Sequence, residues 1–540
     1  MFEQQLPAHP SIEQYKNQAK DLLRDARLGL AETLARLQRN HPRFHPLSAE
    51  KLAAEPVSLT DAQLILAREH GFLSWPKFAA HIETLRLIRE VEAITDPVAA
   101  FIDVAVIPRH TGHATGTLEH AELILARYPD VATASIHTAA ILADEDAVRR
   151  FLTAEPSAAT AKGGPLGWDP LTHLCFSRFL RLDASRSEAF VRTAGALLDA
   201  GASANTGWTE LIDQPTPRET IERAIYGVAA VAQHVELTRL LLERGADPND
   251  EETPYHVPEN YDNAVLELLL QSGKFTPASL AIILIRKADV HDFAGMKLAL
   301  EHGADPNLQS RWGITALHQA LRRDNQLATI ALLLDHGADP ALITREGFSA
   351  TFIAAHRGRG DVLRLFEERQ IPLGLSGPAT LLAALAQGDR DGISTLLSEQ
   401  PALRTQLLAY GGSLLAPFSG NGNLEGVRCL LELGVPVDAL YTEGDGYFEV
   451  ARNSTALHVA AWRARPAVVT ELIARGADVN ALDARGRTPL QLAIKAAVDS
   501  YWTDRRTPES IAALLTAGAT TSNITLPTGY EEADNLLRNC

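Results

Sequence analysis

The sequence predicts an all-α protein: a solenoid of helix-turn-helix repeats with hairpin turns, preceded by a small N-terminal helical domain. Three observations lead there. An apolar helical stretch ending in Gly-Ala-Asp-Pro-Asn, or a close variant, recurs along the 540 residues. A second phrase, Thr-x-Leu-x-x-Ala with His often in the fourth place, precedes several of those stretches. Residues 1–95 contain neither phrase and read as separate helices with their own caps. Self-similarity of this kind marks a stacked array, in which each unit buries its apolar face against the next.

From the front, Ser11-Ile12-Glu13-Gln14 reads as a capping box that opens a helix reaching about Gln38. Leu22, Leu23, Ala26, Leu30 and Leu34 recur along it as an apolar face. The proline-bearing stretch 40–57 reads as a linker or irregular loop. Thr60-Asp61-Ala62-Gln63 opens a second helix that Gly71 stops, and Trp75-Pro76 opens a third carrying Phe78, Ile82 and Leu85. Residues 1–95 are thus expected to form the small helical domain, and 96–117 a linker.

The array is expected over 118–520. Its glycine phrase falls at Gly201, Gly245, Gly303, Gly337, Gly434, Gly476 and Gly518, at intervals of 44, 58, 34, 97, 42 and 42. A basic unit of about 33 residues fits these intervals if some units carry inserts and two central ones, near 347–374 and 378–404, have lost the phrase. The count is about ten units, the earliest containing 118–129 and 137–156. The second phrase is clearest at Thr315-Ala316-Leu317-His318, Thr455-Ala456-Leu457-His458 and Thr488-Pro489-Leu490-Gln491. Thr suits a helix cap and Pro the first helical position. Gly suits the left-handed residue that ends a helix, and Asp and Asn the tight turn after it. Residues 521–540 are expected to cap the apolar end of the stack. The eroded stretch 347–404 predicts weak coupling between the segments on either side.

These phrases resemble the ankyrin repeat family, whose signature is a Thr-Pro-Leu-His-x-Ala opening at a 33-residue period. The resemblance implies that His173, His318 and His458 make hydrogen bonds between repeats. The stretch from Leu64 to Pro76 is similar to one found at the front of ankyrin-repeat proteins of bacteria. That likeness implies an architecture and carries no activity.

Charge and motifs narrow the function. Lys and Arg total 50 against 67 Asp and Glu, a net charge of −17. Residues 1–95 hold 12 of each sign, so the whole excess belongs to the remainder. Such a chain repels phosphate backbones and anionic headgroups, so neither nucleic acid nor membrane is an expected partner. Cys175, Cys429 and Cys540 are too scattered for a disulfide scaffold or a paired-cysteine zinc site. A reducing, cytoplasmic setting is expected, with no cofactor and no metal. No phosphate loop, nucleophile elbow or His-Glu-x-x-His appears. The glycine-rich 411–413 and 420–422 read as repeat turns.

Inserts are where a repeat protein carries residues its core does not require. Candidate partner-binding side chains there are Trp208 in 206–218, Tyr255 and Tyr261 in 250–261, Tyr447 and Phe448 in 441–450, and Tyr501 and Trp502 in 500–507. Trp312 is a further candidate. Trp and Tyr often dominate interface energies. The expected function is a non-enzymatic protein-interaction module or scaffold. Its partner is a protein, of basic character, held by the concave face, turn tips and aromatic inserts. The alternative is an enzyme or metal-binding protein with its site in 1–117, resting on His110, His113 and His120, and with the repeats as substrate receptor.

Overall fold

The structure is a computed structural model and describes residues 5–55, 57–108, 112–212, 218–500 and 505–539. It is 59% helix and 4% strand, the all-α class expected. The described residues fall into two compact units, Met1–Lys274 and Phe275–Cys540. No helix among them is long and apolar enough to cross a membrane.

In the first unit the opening stretch forms two helices, Ile12–Arg27 and Ala31–Asn40, where one was expected. Gly29 breaks it with a φ of +69°, which a helix interior does not hold. Leu30 consequently stays exposed, while Leu22 and Ala26 pack with Leu37, Phe44, Leu52 and Ile65. Ser58 and Asp61 form a reciprocal capping box at Leu59–Glu69, so the cap lies two residues before the Thr60 expected to open this helix. Trp75–Glu92 is capped by Ser74 and sets Phe78 and Ile82 against Tyr15. Residues 96–117 include the helix Pro97–Ala105, capped by Asp96, with Phe101 and Ile102 buried. Helix pairs such as Ile136–Ile141 with Glu145–Ala154 follow. The insert after Asn205 departs from helix: β1 (Gly207–Ile212) pairs antiparallel with β2 (Arg218–Arg223).

In the second unit the repeat chemistry is regular. Thr315, Thr455 and Thr488 cap Ala316–Arg322, Ala456–Trp462 and Pro489–Val498 through reciprocal boxes with His318, His458 and Gln491. His318 Nε2 donates to Leu342 O at 2.9 Å and His458 Nε2 to Arg487 O at 3.0 Å, joining each signature helix to the next hairpin turn. Burial lowers the pKa of both rings and favours the neutral form this donor–acceptor pattern requires. Gly303 and Gly476 stop the second helices at φ +87° and +84°.

One feature departs from a simple stack. Asp324, in the turn between Ala316–Arg322 and Leu327–Asp335, has a fully buried carboxylate. Arg357 of the next repeat donates to it through Nε and Nη2, both at 2.6 Å. Arg463, four repeats further on, donates through Nη1 at 2.6 Å, and Asn421 adds Nδ2 at 3.0 Å. Burial works against ionisation here, but the two guanidiniums overcome it and hold the carboxyl well below the usual range. Repeats are expected to touch only their neighbours, and here they do not. The eroded stretch is tied in as well. Asn423 Nδ2 donates to Gly358 O and Ala386 O, both at 2.7 Å, so Pro378–Gln387 is stitched to the repeats on either side.

Removing one member of a buried ion cluster leaves the others charged and unpaired, which costs about 3–5 kcal/mol. Asp324→Ala is therefore expected to destabilise the second unit by about that amount in a denaturant titration. A loss under about 1 kcal/mol would show that the repeats hold together without the carboxylate.

Candidate functional site

The structure separates the expected partner-binding residues into two groups. Trp208, in β1, is 7% exposed; its ring stacks on Trp168 at 5.1 Å. Phe448 is 4% exposed, lying 4.2 Å from the Arg463 guanidinium and 5.3 Å from that of Arg357. Tyr447 is half-buried: its hydroxyl donates to Asp289 O, and Arg323 lies 3.7 Å over its ring. The insert 441–450 thus turns inward and covers the Asp324 cluster. Tyr261 is 68% and Trp312 37% exposed, and Tyr255 is half-buried against His256. Tyr501 and Trp502 lie outside the described residues.

Hairpin tips of the second unit bring exposed apolar side chains together. Gln309 Nε2 donates to Ile343 O at 2.7 Å and Arg345 Nη2 to Arg311 O at 3.0 Å, so two successive tips are zipped side by side. Trp312 stands on one; Ile343 and Phe348 stand on the other, all exposed. Phe348 stacks on Phe352 at 4.8 Å. Beside them opens a cleft of about 510 Å³ lined by Ile343, Phe348, Phe352, Pro372, Leu373 and Leu375. The loop 371–376, where the repeat phrase is lost, forms its far wall. Ile343 and Phe348 were not singled out from the sequence. Ile343 stands where the preceding tip has Gln309, a departure visible in the sequence, whereas Phe348 stands where that tip has Ile314 and nothing local marks it.

A second pocket, of about 340 Å³, lies in the first unit. His113, Tyr226, His256 and Glu259 line it, beside the π-helical turn Gly227–Val231. His113 Nδ1 and the Tyr226 hydroxyl are 2.6 Å apart. His256 is 3.1 Å from both Glu252 and Glu259. Burial alone would neutralise this ring, but the two carboxylates outweigh it and raise its pKa to about 9. Behind the pocket, the register of the hairpin sets Trp208 opposite Glu222 and Glu210 opposite Thr220, so β-alternation turns carboxylates inward while Ile221 faces out. Glu222 is 1% exposed and its Oε2 has no hydrogen-bond partner among the described residues. Burial, then the charges of Glu252, Glu210 and Asp250, push its carboxyl up to about 8. Burial also pushes Asp250 up to about 7.

Among the expected histidines, His113 belongs to this pocket, whereas His120 lines a different one with Glu83 and Arg178. His110 lies outside the described residues. Cys175 and Cys429 are buried.

Comparison with known families fits the repeat chemistry. Residues 284–372 match the family described as ankyrin repeats (3 copies), and residues 420–493 match ankyrin repeats (many copies). The chain carries ankyrin repeats over these residues. Among solved structures it is similar to the human ASB11 ankyrin repeat domain, at 23% identity over 44% of this chain and 98% of that one, with a TM-score of 0.20. No curated protein matches it.

Two expectations follow from this geometry. Phe448 fills a buried space, so Phe448→Ala should destabilise the second unit by about 3–5 kcal/mol, read by denaturant titration. Glu222 and His256 both have raised pKa values, so the folded chain holds protons that the unfolded chain has released. Their contribution to stability is complete below the unfolded values. It is lost as pH rises through about 8 for Glu222 and about 9 for His256. Glu222→Gln should therefore flatten the fall in melting temperature between about pH 6.5 and pH 8.5 and raise it at the upper end by about 3 °C. Parallel curves for the two proteins would show that Glu222 is ionised throughout.

Proposed function

We propose that the protein is a non-enzymatic interaction module that holds a partner protein on the hairpin-tip row of its second unit. Ankyrin repeats are in general protein–protein interaction modules. The observation that carries this reading is the apolar cleft of about 510 Å³ beside exposed Ile343 and Phe348, with Trp312 on the adjoining tip. Exposed apolar residues scattered singly need no explanation, but several gathered around a cleft mark a binding surface. Tip side chains are also poor candidates for holding the fold together, because the helix pairs pack without them.

The partner we infer is a protein segment with an apolar or aromatic side chain for the cleft and an overall basic character. A net charge of −17 accelerates the approach of a basic partner and opposes nucleic acid and anionic lipid. The few scattered cysteines support a cytoplasmic setting. Tyr261, exposed in the first unit, is proposed as a separate contact.

The test pairs Trp312→Ala with Ile343→Ser in the full chain. An aromatic anchor in an interface contributes about 2 kcal/mol or more, roughly a thirtyfold change in affinity, whereas such surface changes alter stability by about 0.5 kcal/mol. Partner capture should therefore fall by more than about tenfold with the melting temperature held within about 2 °C. Undiminished capture by the double variant would place the partner elsewhere.

A further inference from the structure

The opposite edge of the second unit, where first helices turn into second helices, carries a pocket of about 620 Å³. Arg359, Arg364, Arg465 and Arg505 line it, with Asn325 and Asn421. The Gly-Asn-Gly stretch at 420–422 makes the room. A Cβ on Gly422 would stand 3.0 Å from Arg465 Cδ, and one on Gly420 would stand 3.0 Å from Arg463 Cδ.

Two of these charges, on Arg364 and Arg465, are not balanced by a carboxylate among the described residues. Asp324 is engaged by Arg357 and Arg463, and Asp361 by the paired Nε and Nη2 of Arg359, each at 2.8 Å. Glu425 faces Arg390 and Arg428. Arg465 donates Nε to Gly420 O at 2.9 Å, and among the described residues its terminal nitrogens have no protein acceptor. Arg364 makes one long contact, Nη1 to Gln387 O at 3.4 Å. Neither has a carboxylate in ion-pair reach among the described residues. Burial, then the nearby Arg505 and Arg463, depress the Arg465 pKa to about 9.

Helix polarity adds to the imbalance. Leu327–Asp335, Gly360–Glu368 and Leu424–Leu433 all begin at this pocket. Their N-terminal amides and dipoles favour an anion. Yet Arg359 and Arg465 occupy the cap positions of Gly360–Glu368 and Pro466–Ala474, and neither caps its helix through its side chain. At the corresponding place in other repeats, Asp144, Asp292, Asp389 and Asn423 do cap. An arginine where a carboxylate is favoured is the wrong sign for the helix and the right sign for a bound anion.

We propose that this pocket binds a phosphate monoester, its dianion held by Arg465, Arg505 and Arg364 at the mouths of these helices. Guanidinium forks match tetrahedral phosphate oxygens in pairs. The acidic remainder of the chain excludes long polyanions, so the ligand is a single phosphoryl group, carried by a small metabolite or by a phosphorylated side chain. The site is distinct from the hairpin tips and stands whether or not they bind a partner.

The experiment is a thermal-shift and calorimetric titration of the full chain with inorganic phosphate, O-phosphoserine and a phosphoserine peptide, against sodium chloride at equal ionic strength. Inorganic phosphate should bind with a Kd of about 1 mM or tighter. A tighter O-phosphoserine than peptide assigns a small metabolite, and the reverse assigns a phosphorylated side chain. Arg465→Asp restores a carboxylate at the helix cap, so it should raise the melting temperature of the ligand-free protein and abolish the phosphate response. Arg505→Gln should weaken phosphate binding at least tenfold. A purely structural Arg465 would make Arg465→Asp less stable. That result, no shift beyond sodium chloride, or an equal phosphate response in both variants would each overturn the proposal.

Discussion

A carboxylate with no access to water has to find its charge partners within the protein, and Asp324 finds them in Arg357 and Arg463. Much of the second unit follows from that requirement. First helices from repeats four apart must approach one another, and the turns that carry Asp324, Arg357 and Arg463 must lie at one level. The guanidiniums in turn need cover. Phe448 supplies it, lying against both Arg463 and Arg357. An array that would otherwise be a string of nearest-neighbour contacts is thereby cross-linked. Asp324 itself sits at φ +53°, a conformation that Asp tolerates better than most residues because its short side chain can hydrogen-bond locally.

The repeat grammar was legible because its causes are local. A Thr cap and a left-handed Gly act within one unit, and Gly303, Gly476, Thr315 and Thr455 stand where that grammar put them. Gly29 is equally local, but the apolar spacing runs on across it and masks the break between the two helices. The inserts were not legible in the same way. Whether Tyr447 faces a partner or its own chain depends on Asp289, 158 residues away, and no pattern within 441–450 encodes that distance. The β1–β2 hairpin inverts the usual rule, with Glu210 and Glu222 on its inner face and Ile221 outside, so a hydrophobic pattern reads it backwards. The arginine pocket had a visible sign, Arg-x-Arg at 357–359 and again at 463–465. In a chain rich in arginine the pattern carries no meaning by itself; it gains one because Arg359 and Arg465 line the same pocket.

The two units set ionisable groups against their surroundings in opposite senses. In the first, carboxylates crowd a buried hairpin face, and Glu222 responds by keeping its proton to about pH 8. In the second, guanidiniums crowd a turn edge, and arginine cannot respond in that way near neutral pH. A protonated carboxyl removes its own repulsion, so the first arrangement is stable as it stands. At the turn edge Arg364 and Arg465 have no carboxylate in reach among the described residues, and their charge stays uncompensated until the proposed anion binds.

That difference decides which cluster reads as a site. Structural ion networks also perturb charged groups, and the Asp324 cluster is one: every charge in it has a partner, and its burial supports the fold. Arg465 is set apart by its position. It stands at a helix start, close to other cations, lining the pocket with no protein acceptor for its terminal nitrogens among the described residues, and replacing it by the acidic cap its sister repeats use would relieve each of those costs. Sequences settle above a stability threshold, and local departures from good capping concentrate where function needs them. A helix cap of the wrong charge, repeated at Arg359 and Arg465 around one pocket, is such a departure. Arg359 meets its cost internally through Asp361, whereas Arg465 leaves its cost to a ligand.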